Sequence, residues 1–390
     1  MGFGLLTRIS FVLGACVAGC AASTSPSATG TGFIASTSQV AFAGVNIAGF
    51  DFGCGTDGTC NTQSTFDVAS QGTGLQQMQH FVEDDGLNAF RLPVAWQFLV
   101  NNNLGGPLDA NNSAAYDKLV MGCVNAGAKM CIIDIHNYAR YNGLIIAQDA
   151  GGPTNDQYTS LLSQLAAKYA NISQVAFDIM NEPHDIPSLP AWANSSQLAV
   201  NAIRAAGATT QQILIPGTDF DSAATFANTS GPVLLGVTNP DGTTDNLLFN
   251  VHKYLDSDGS GTHSNCVTNN IDTAFAPLAA FLRQNNRTAI LTETGGGPTD
   301  PTCLQMLCQQ NDYIKYVKKL IFWYWQSPAN LRPFSQNSDV FKGVLGWAAG
   351  GFDTSYVLAE TPSINGTTFT DQELVTQCIV AKFRGASGVL

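Results

Sequence analysis

Along the chain, apolar and polar positions repeat one theme: a short, nearly continuous apolar run, then a longer amphipathic stretch. Eight runs have the character of strands: AFAGVNI (41–47), LNAFRLPV (87–94), KMCIIDIH (129–136), VAFDIMN (175–181), QQILIPG (211–217), NLLFNVHKY (246–254), TAILTET (288–294) and GVLGWAA (343–349). Between most of them lie segments with apolar residues at three- and four-residue spacing, the period of a helix face: 75–86, 114–127, 159–170, 198–207 and 272–286. Strands that are apolar on both faces suit a parallel sheet covered by helices. Eight of them alternating with helices predict an α/β fold, a single (β/α)8 barrel. An open doubly wound sheet is the alternative, but no glycine-rich dinucleotide fingerprint follows the first strand.

Both ends of the first 40 residues break this pattern. Residues 1–21 combine a basic start (Arg8), an apolar segment too short to span a membrane and small residues near Ala18–Ala22, as in a secretory signal peptide. Residues 22–39 are rich in Ser, Thr and Gly without periodicity and read as a flexible leader. Residues 40–390 then form the barrel domain. Export removes Cys16 and Cys20 and leaves eight cysteines, an even number that suggests four disulfides rather than metal binding. No Cys-x-x-Cys pair occurs. Sequons at Asn111, Asn171, Asn194, Asn228, Asn286 and Asn365 fit a secreted, extracellular glycoprotein.

Composition narrows the partners. The 390 residues are 45% hydrophobic, enough for a large core, and only 12% charged, with a net charge of −12. Such a surface repels nucleic acid and anionic membranes and suits a neutral substrate. No cofactor, metal or stable oligomer is expected; the chain reads as a monomer.

Barrel enzymes build their sites at the C-terminal ends of the strands. There the sequence places Arg91 in strand two, His136 and Asn137 after strand three, and Asn181 and Glu182 after strand four. His252 and Tyr254 end strand six, Glu293 ends strand seven and Trp347 ends strand eight. One polar group at a strand end is ordinary; six strands sharing one rim point to a site. Two of these residues are glutamates, and glycosidic cleavage needs two carboxyl groups flanking the bond. Pro183 is expected to hold Glu182 extended. Asn181 is placed to bond a sugar hydroxyl, Arg91 to keep Glu293 ionised, and Tyr254 to position it. The two histidines lack a third ligand at zinc-like spacing, so hydrogen bonding to sugar or carboxylate is the better reading. Trp347, in GWAAG without bulky neighbours, is read as a sugar-stacking platform. No Gly-x-Ser-x-Gly elbow supports a serine triad.

The motifs RLPVAWQ (91–97), DIHNYARYNG (134–143), IMNEPHD (179–185), VHKYLDSDGSGTH (251–263) and ILTETGGG (290–297) carry a likeness to a known family. From about Ala43 to Cys378 the chain resembles glycoside hydrolase family 5, and within it the secreted fungal endo-β-1,4-glucanases of the endoglucanase II type. The resemblance implies retaining hydrolysis of β-glucan, with Glu182 as acid/base and Glu293 as nucleophile. Arg91, His136, Asn137, Asn181, His252, Tyr254 and Trp347 match surrounding family positions. It also implies the disulfides Cys54–Cys60, Cys123–Cys131, Cys266–Cys303 and Cys308–Cys378. A mannanase or xyloglucanase of the same family is the rival reading, and a non-catalytic carbohydrate-binding protein a weaker one.

Two departures stand out. In PGTDF (216–220), Thr218 and Phe220 stand where relatives tend to have Asn and Trp. Residues 315–335 (KYVKKLIFWYWQSPANLRPFS) have no counterpart: 315–332 hold four of the 17 Lys+Arg, two of the five tryptophans and no acidic residue. Lys-Tyr-Val can encode a splice donor and Phe-Ser an acceptor, so the segment reads as a translated retained intron. A genuine insertion is the alternative.

Overall fold

In a computed structural model, residues 40–315 and 337–390 are described. The signal peptide (1–21), the leader (22–39) and the atypical segment 315–335, apart from Lys315, lie outside them. The barrel strands are β1 (Phe42–Ala48), β2 (Ala89–Val94), β3 (Met130–Ile135), β4 (Val175–Asp178), β5 (Ile213–Pro216), β6 (Leu247–His252), β7 (Ala289–Glu293) and β8 (Phe341–Gly350). All pair in parallel, and β1 closes against β8, with Phe42 opposite Gly343 and Gly44 opposite Leu345. Closure depends on backbones approaching closely: a Cβ on Gly44 would lie 1.6 Å from the Ala89 carbonyl oxygen.

Helices pack outside. α1 (Gly74–Glu83), α2 (Ala110–Asn125), α3 (Asn155–Tyr169), α4 (Leu189–Ala205), α5 (Ser230–Leu234), α6 (Ala276–Gln284) and α7 (Pro301–Lys315) follow successive strands. Their starts are written locally. Asp109 caps α2, Thr154 and Gln157 form a reciprocal capping box on α3, and Ser188 caps α4. α4 begins at Leu189, well before the expected 198, because its proline sits in the first turn, where no helical hydrogen bond is lost. α5 and α7 add to the five helical segments read from the pattern, and the 272–286 segment starts with a wide π-type turn, Ile271–Phe275.

The core has two layers. The larger lies between barrel and helices; the smaller fills the barrel floor with Phe42, Ala89, Met130, Ile132, Ala176, Leu214, Leu248, Ile290 and Leu345. All four disulfides form in the expected pairs. Among the described residues no helix is long and apolar enough to cross a membrane.

Candidate active site

The site grows from the same inward-facing rows that make the floor. Two residues beyond Ala89 stands Arg91, beyond Ile132 stands Asp134, beyond Ala176 stands Asp178, beyond Leu248 stands Asn250, and beyond Ile290 stands Thr292. Each is fully buried. Arg91 organises them. Its Nε donates to Asp178 (2.9 Å), and Nη1 to Asn46 (3.1 Å) and Glu293. Nη2 donates to Asn181 (2.7 Å) and lies 3.1 Å from Asp134. A buried guanidinium is tolerated because every edge meets an acceptor.

Above this layer sit the two glutamates, in different proton environments. Glu293 has Arg91 on one oxygen and the Tyr254 hydroxyl on the other (2.7 Å). Burial raises its pKa, and Arg91 first, then the Tyr254 hydroxyl, offset part of that rise. Glu182 has no such support. Burial, then repulsion from Glu293 and Asp221, hold its pKa well above the usual carboxylate range.

The neighbouring hydrogen bonds place a proton on Glu182. Asp178 Oδ2 accepts from Asn250 Nδ2 (2.9 Å), which turns the Asn250 carbonyl toward the Thr292 hydroxyl. That hydroxyl donates to Asn250, so toward His252 Nε2, 2.9 Å away, it accepts. His252 is neutral: burial first, then Arg91, drive its pKa far down. A neutral ring protonated at Nε2 leaves Nδ1 as an acceptor, and Nδ1 lies 2.8 Å from Glu182 Oε1. The bond is completed by a proton on the carboxyl group. One oxygen of Glu182 and one of Glu293 lie within 4.8 Å of each other, with His252 between them.

His136 is also neutral, with burial the main cause of a pKa lowered to about 4. Its Nδ1 donates to Asp134 (2.7 Å), and Nε2 accepts from the Asn181 amide (3.3 Å). A cleft of about 560 Å³ runs over these groups, lined by His136, Tyr138, Glu182, Phe220, His252, Tyr254, Glu293 and Trp347. A second hollow of about 320 Å³ shares His136, Tyr138 and Trp347 and extends toward Asp51, Phe52 and Phe352. Together they form a groove for an extended ligand.

Four details differ from the sequence reading. β4 ends at Asp178, and Glu182 adopts a left-handed backbone (φ +42°) instead of an extended one. Asp221 accepts its N–H (3.0 Å), and this tertiary contact overrides the local preference before proline. Asn137 does not line the groove: its amide is taken up by the Trp96 N–H and Gln97, both at 2.7 Å. Trp347 lies inside β8, three residues before its end. It is not isolated either: it stacks on His136 (5.4 Å, 15°), meets Phe352 edge-on and donates to Tyr356 (3.3 Å). Sequence reasoning passed over Asn46, Asp134, Asp178, Asp221, Asn250 and Thr292. For all but Asp221, which lies in the loop after β5, lone polar residues inside apolar strands were the signal, since a buried charge must be paired.

The chain is similar to known proteins. The family model described as Cellulase (glycosyl hydrolase family 5) matches residues 45–330. The chain is 56% identical over 354 residues to Endoglucanase EG-II of Hypocrea jecorina, covering 89% of this chain and 79% of that one. It is 44% identical over 354 residues to the manganese dependent endoglucanase Eg5A of Phanerodontia chrysosporium, covering 90% and 83%. The crystal structure of Cel5A (EG2) from Hypocrea jecorina superposes with a TM-score of 0.79 at 55% identity, over 87% of this chain and 98% of that one. With this barrel, this pair of glutamates and these relatives, the chain belongs to glycosyl hydrolase family 5, the cellulase family.

Proposed function

We propose that the chain is a secreted endo-β-1,4-glucanase that cleaves internal bonds of cellulose and related β-glucans with retention of configuration. The observation that carries this reading is the pair of close carboxyl groups in unlike proton environments. A separation near 5 Å suits direct attack; an inverting site leaves about 6.5–9.5 Å for water. Glu293, ionised beside Arg91 and Tyr254, attacks the anomeric carbon. Glu182 gives its proton to the leaving oxygen as the glycosidic C–O bond breaks. The glycosyl ester removes the charge on Glu293, so the Glu182 pKa falls. Glu182 then takes a proton from water, which attacks the same carbon and releases Glu293. Asn181, oriented by Arg91 and His136, presents its amide to a sugar hydroxyl, and Trp347 offers its face to a ring.

The test is viscosity loss against new reducing ends on carboxymethyl cellulose, with mannan and xyloglucan in parallel. A fast viscosity drop with few new ends on the cellulose derivative is expected. Higher rates on mannan or xyloglucan would move the specificity to those polymers. An α-anomer as first product would overturn retention. Running the chain as written beside one lacking residues 315–335 separates substrate choice from an effect of that segment.

A further inference from the structure

A second cluster of ionisable groups lies outside the barrel, away from the groove. His80 is near the end of α1, Asp84 caps that helix and Asp85 follows it. Asp371 arrives from the far end of the sequence, just after the hairpin Ser363–Asn365/Thr368–Thr370. His80 Nδ1 is 2.7 Å from Asp84 Oδ2; its Nε2 is 3.0 Å from Asp371 Oδ1 and 3.4 Å from Asp85 Oδ2. The Phe369 ring stacks on the imidazole (4.9 Å, 17°) and fixes its plane.

Asp85 is only 6% exposed, and its Oδ2, aimed at His80 Nε2, receives no hydrogen bond. If the Nδ1 proton goes to Asp84, a neutral ring turns a lone pair toward two carboxylates, three acceptors with no donor. A protonated ring supplies one N–H, which the shorter approach assigns to Asp371, and Asp85 then needs either a proton shared with Asp371 or a cation. A divalent cation satisfies all three together. We propose that His80 Nε2, Asp85 and Asp371 hold a divalent transition metal such as Zn²⁺ or Mn²⁺, with Asp84 orienting the histidine from behind.

The spacing fits this reading. Donors about 2.0–2.2 Å from one metal lie roughly 3–3.5 Å from each other. The two distances from Nε2 fall in that range, and all three donor atoms are within 4.8 Å. A carboxylate behind a metal-binding histidine is the usual second support. Charge fits too: Asp84, Asp85 and Asp371 bring three carboxylates, the Arg384 guanidinium lies 3.7 Å from Asp85, and a divalent ion balances the remaining two negative charges. An imidazole donor favours a transition metal over Mg²⁺ or Ca²⁺. Such an ion would tie the end of α1 to the segment leading into the last helical turns, Val375–Phe383, so its effect falls on stability rather than turnover.

Chelator-stripped protein is titrated with ZnCl₂ or MnCl₂, read by calorimetry and melting temperature, beside Asp85→Asn and Asp371→Asn. Expected are one metal per chain, a rise in Tm of several degrees at saturation, and at least tenfold weaker binding in both variants with unchanged activity on carboxymethyl cellulose. A flat wild-type Tm, or variants that bind as well as wild type, would overturn the proposal. The second result would direct attention to the other groups of three donors, Glu182/His252/Glu293 and Asp256/Asp258/His263. Should the variants fold poorly, Mn²⁺ broadening of the His80 ring signals in wild type decides: broadening of other histidines with His80 untouched sinks the idea.

Discussion

The two ends of the barrel are made by the same strands with opposite chemistry. At the floor, inward residues such as Ile132, Leu214, Leu248 and Ile290 form a dry plug. One step of two residues higher, the same rows carry Arg91, Asp134, Asp178, Asn250 and Thr292, equally buried and joined through Arg91. Burial is matched, so burial does not distinguish the ends; what differs is the interaction that makes burial tolerable. Packing holds the floor. Above it, hydrogen bonds fix proton positions, and those positions set the states of Glu182 and Glu293.

The largest effect that separates the ends is expected from the pair Glu293→Gln and Leu248→Ala. The first replaces the carboxylate proposed to attack and is expected to lower kcat by roughly four or more orders of magnitude while Tm changes little. The second leaves a cavity, costs about 2–5 kcal/mol of stability and leaves kcat near wild type. Turnover and chemical melts on both variants check this. A Glu293→Gln protein that retains its rate would end the assignment of Glu293 as nucleophile.

Tyr254→Phe probes the join between the layers more gently. It removes one of two donors to Glu293 and is expected to lower kcat about tenfold. Because that hydrogen bond lowers the Glu293 pKa, its loss raises it. The acid limb of the kcat/KM profile should therefore move to higher pH. A profile that falls in height without shifting would mean that Tyr254 does not tune this carboxylate.

Stability against pH sharpens the contrast. Burial pushes Asp134 from 3.8 up to about 7, with Arg91 opposing. A carboxyl group with a raised folded pKa contributes stability below its unfolded pKa and loses it as pH rises through the folded one. Between pH 4 and about 7, the Tm of Asp134→Asn should thus improve steadily relative to wild type. Leu248→Ala, at the uncharged floor, should differ from wild type by a constant amount across the same range. Equal profiles for the two variants would remove proton linkage from the account of the upper layer.

Much of this contrast was legible in the chain. Strand count, helix period and closure all follow from the alternation of runs, and the groove residues from polar groups at one end of each run. Asp134 and Asp178 were equally visible as lone charges in apolar strands, and the period of two assigns them to the same rows as the floor residues. Other features depend on contacts between distant segments. The left-handed turn at Glu182 exists because Asp221 captures its N–H. Asn137 is spent on Trp96 and Gln97 and so faces away from the groove. His80 and Asp85 meet Asp371 only once the last segment folds back on α1. No local pattern encodes such meetings.

The smallest effect concerns the groove wall at Phe220. Asp219, Phe220 and Asp221 all have positive φ, and Phe220 N–H donates to the Pro183 carbonyl (3.2 Å), next to Glu182. The ring is 43% exposed and lies flat on His184 (4.1 Å, 8°). If Glu182 protonates the leaving oxygen as proposed, a ring tied to its loop would face the departing sugar. Phe220→Trp enlarges that face, and stacking of about 0.5–1 kcal/mol corresponds to roughly a two- to fivefold lower KM on oligosaccharides. kcat should hold, because the contact is equal in ground and transition states. An aryl cellobioside places no sugar there and should show no gain. If its KM falls as much as that of cellotetraose, the benefit arises elsewhere in the groove, and the platform assigned to Phe220 is wrong.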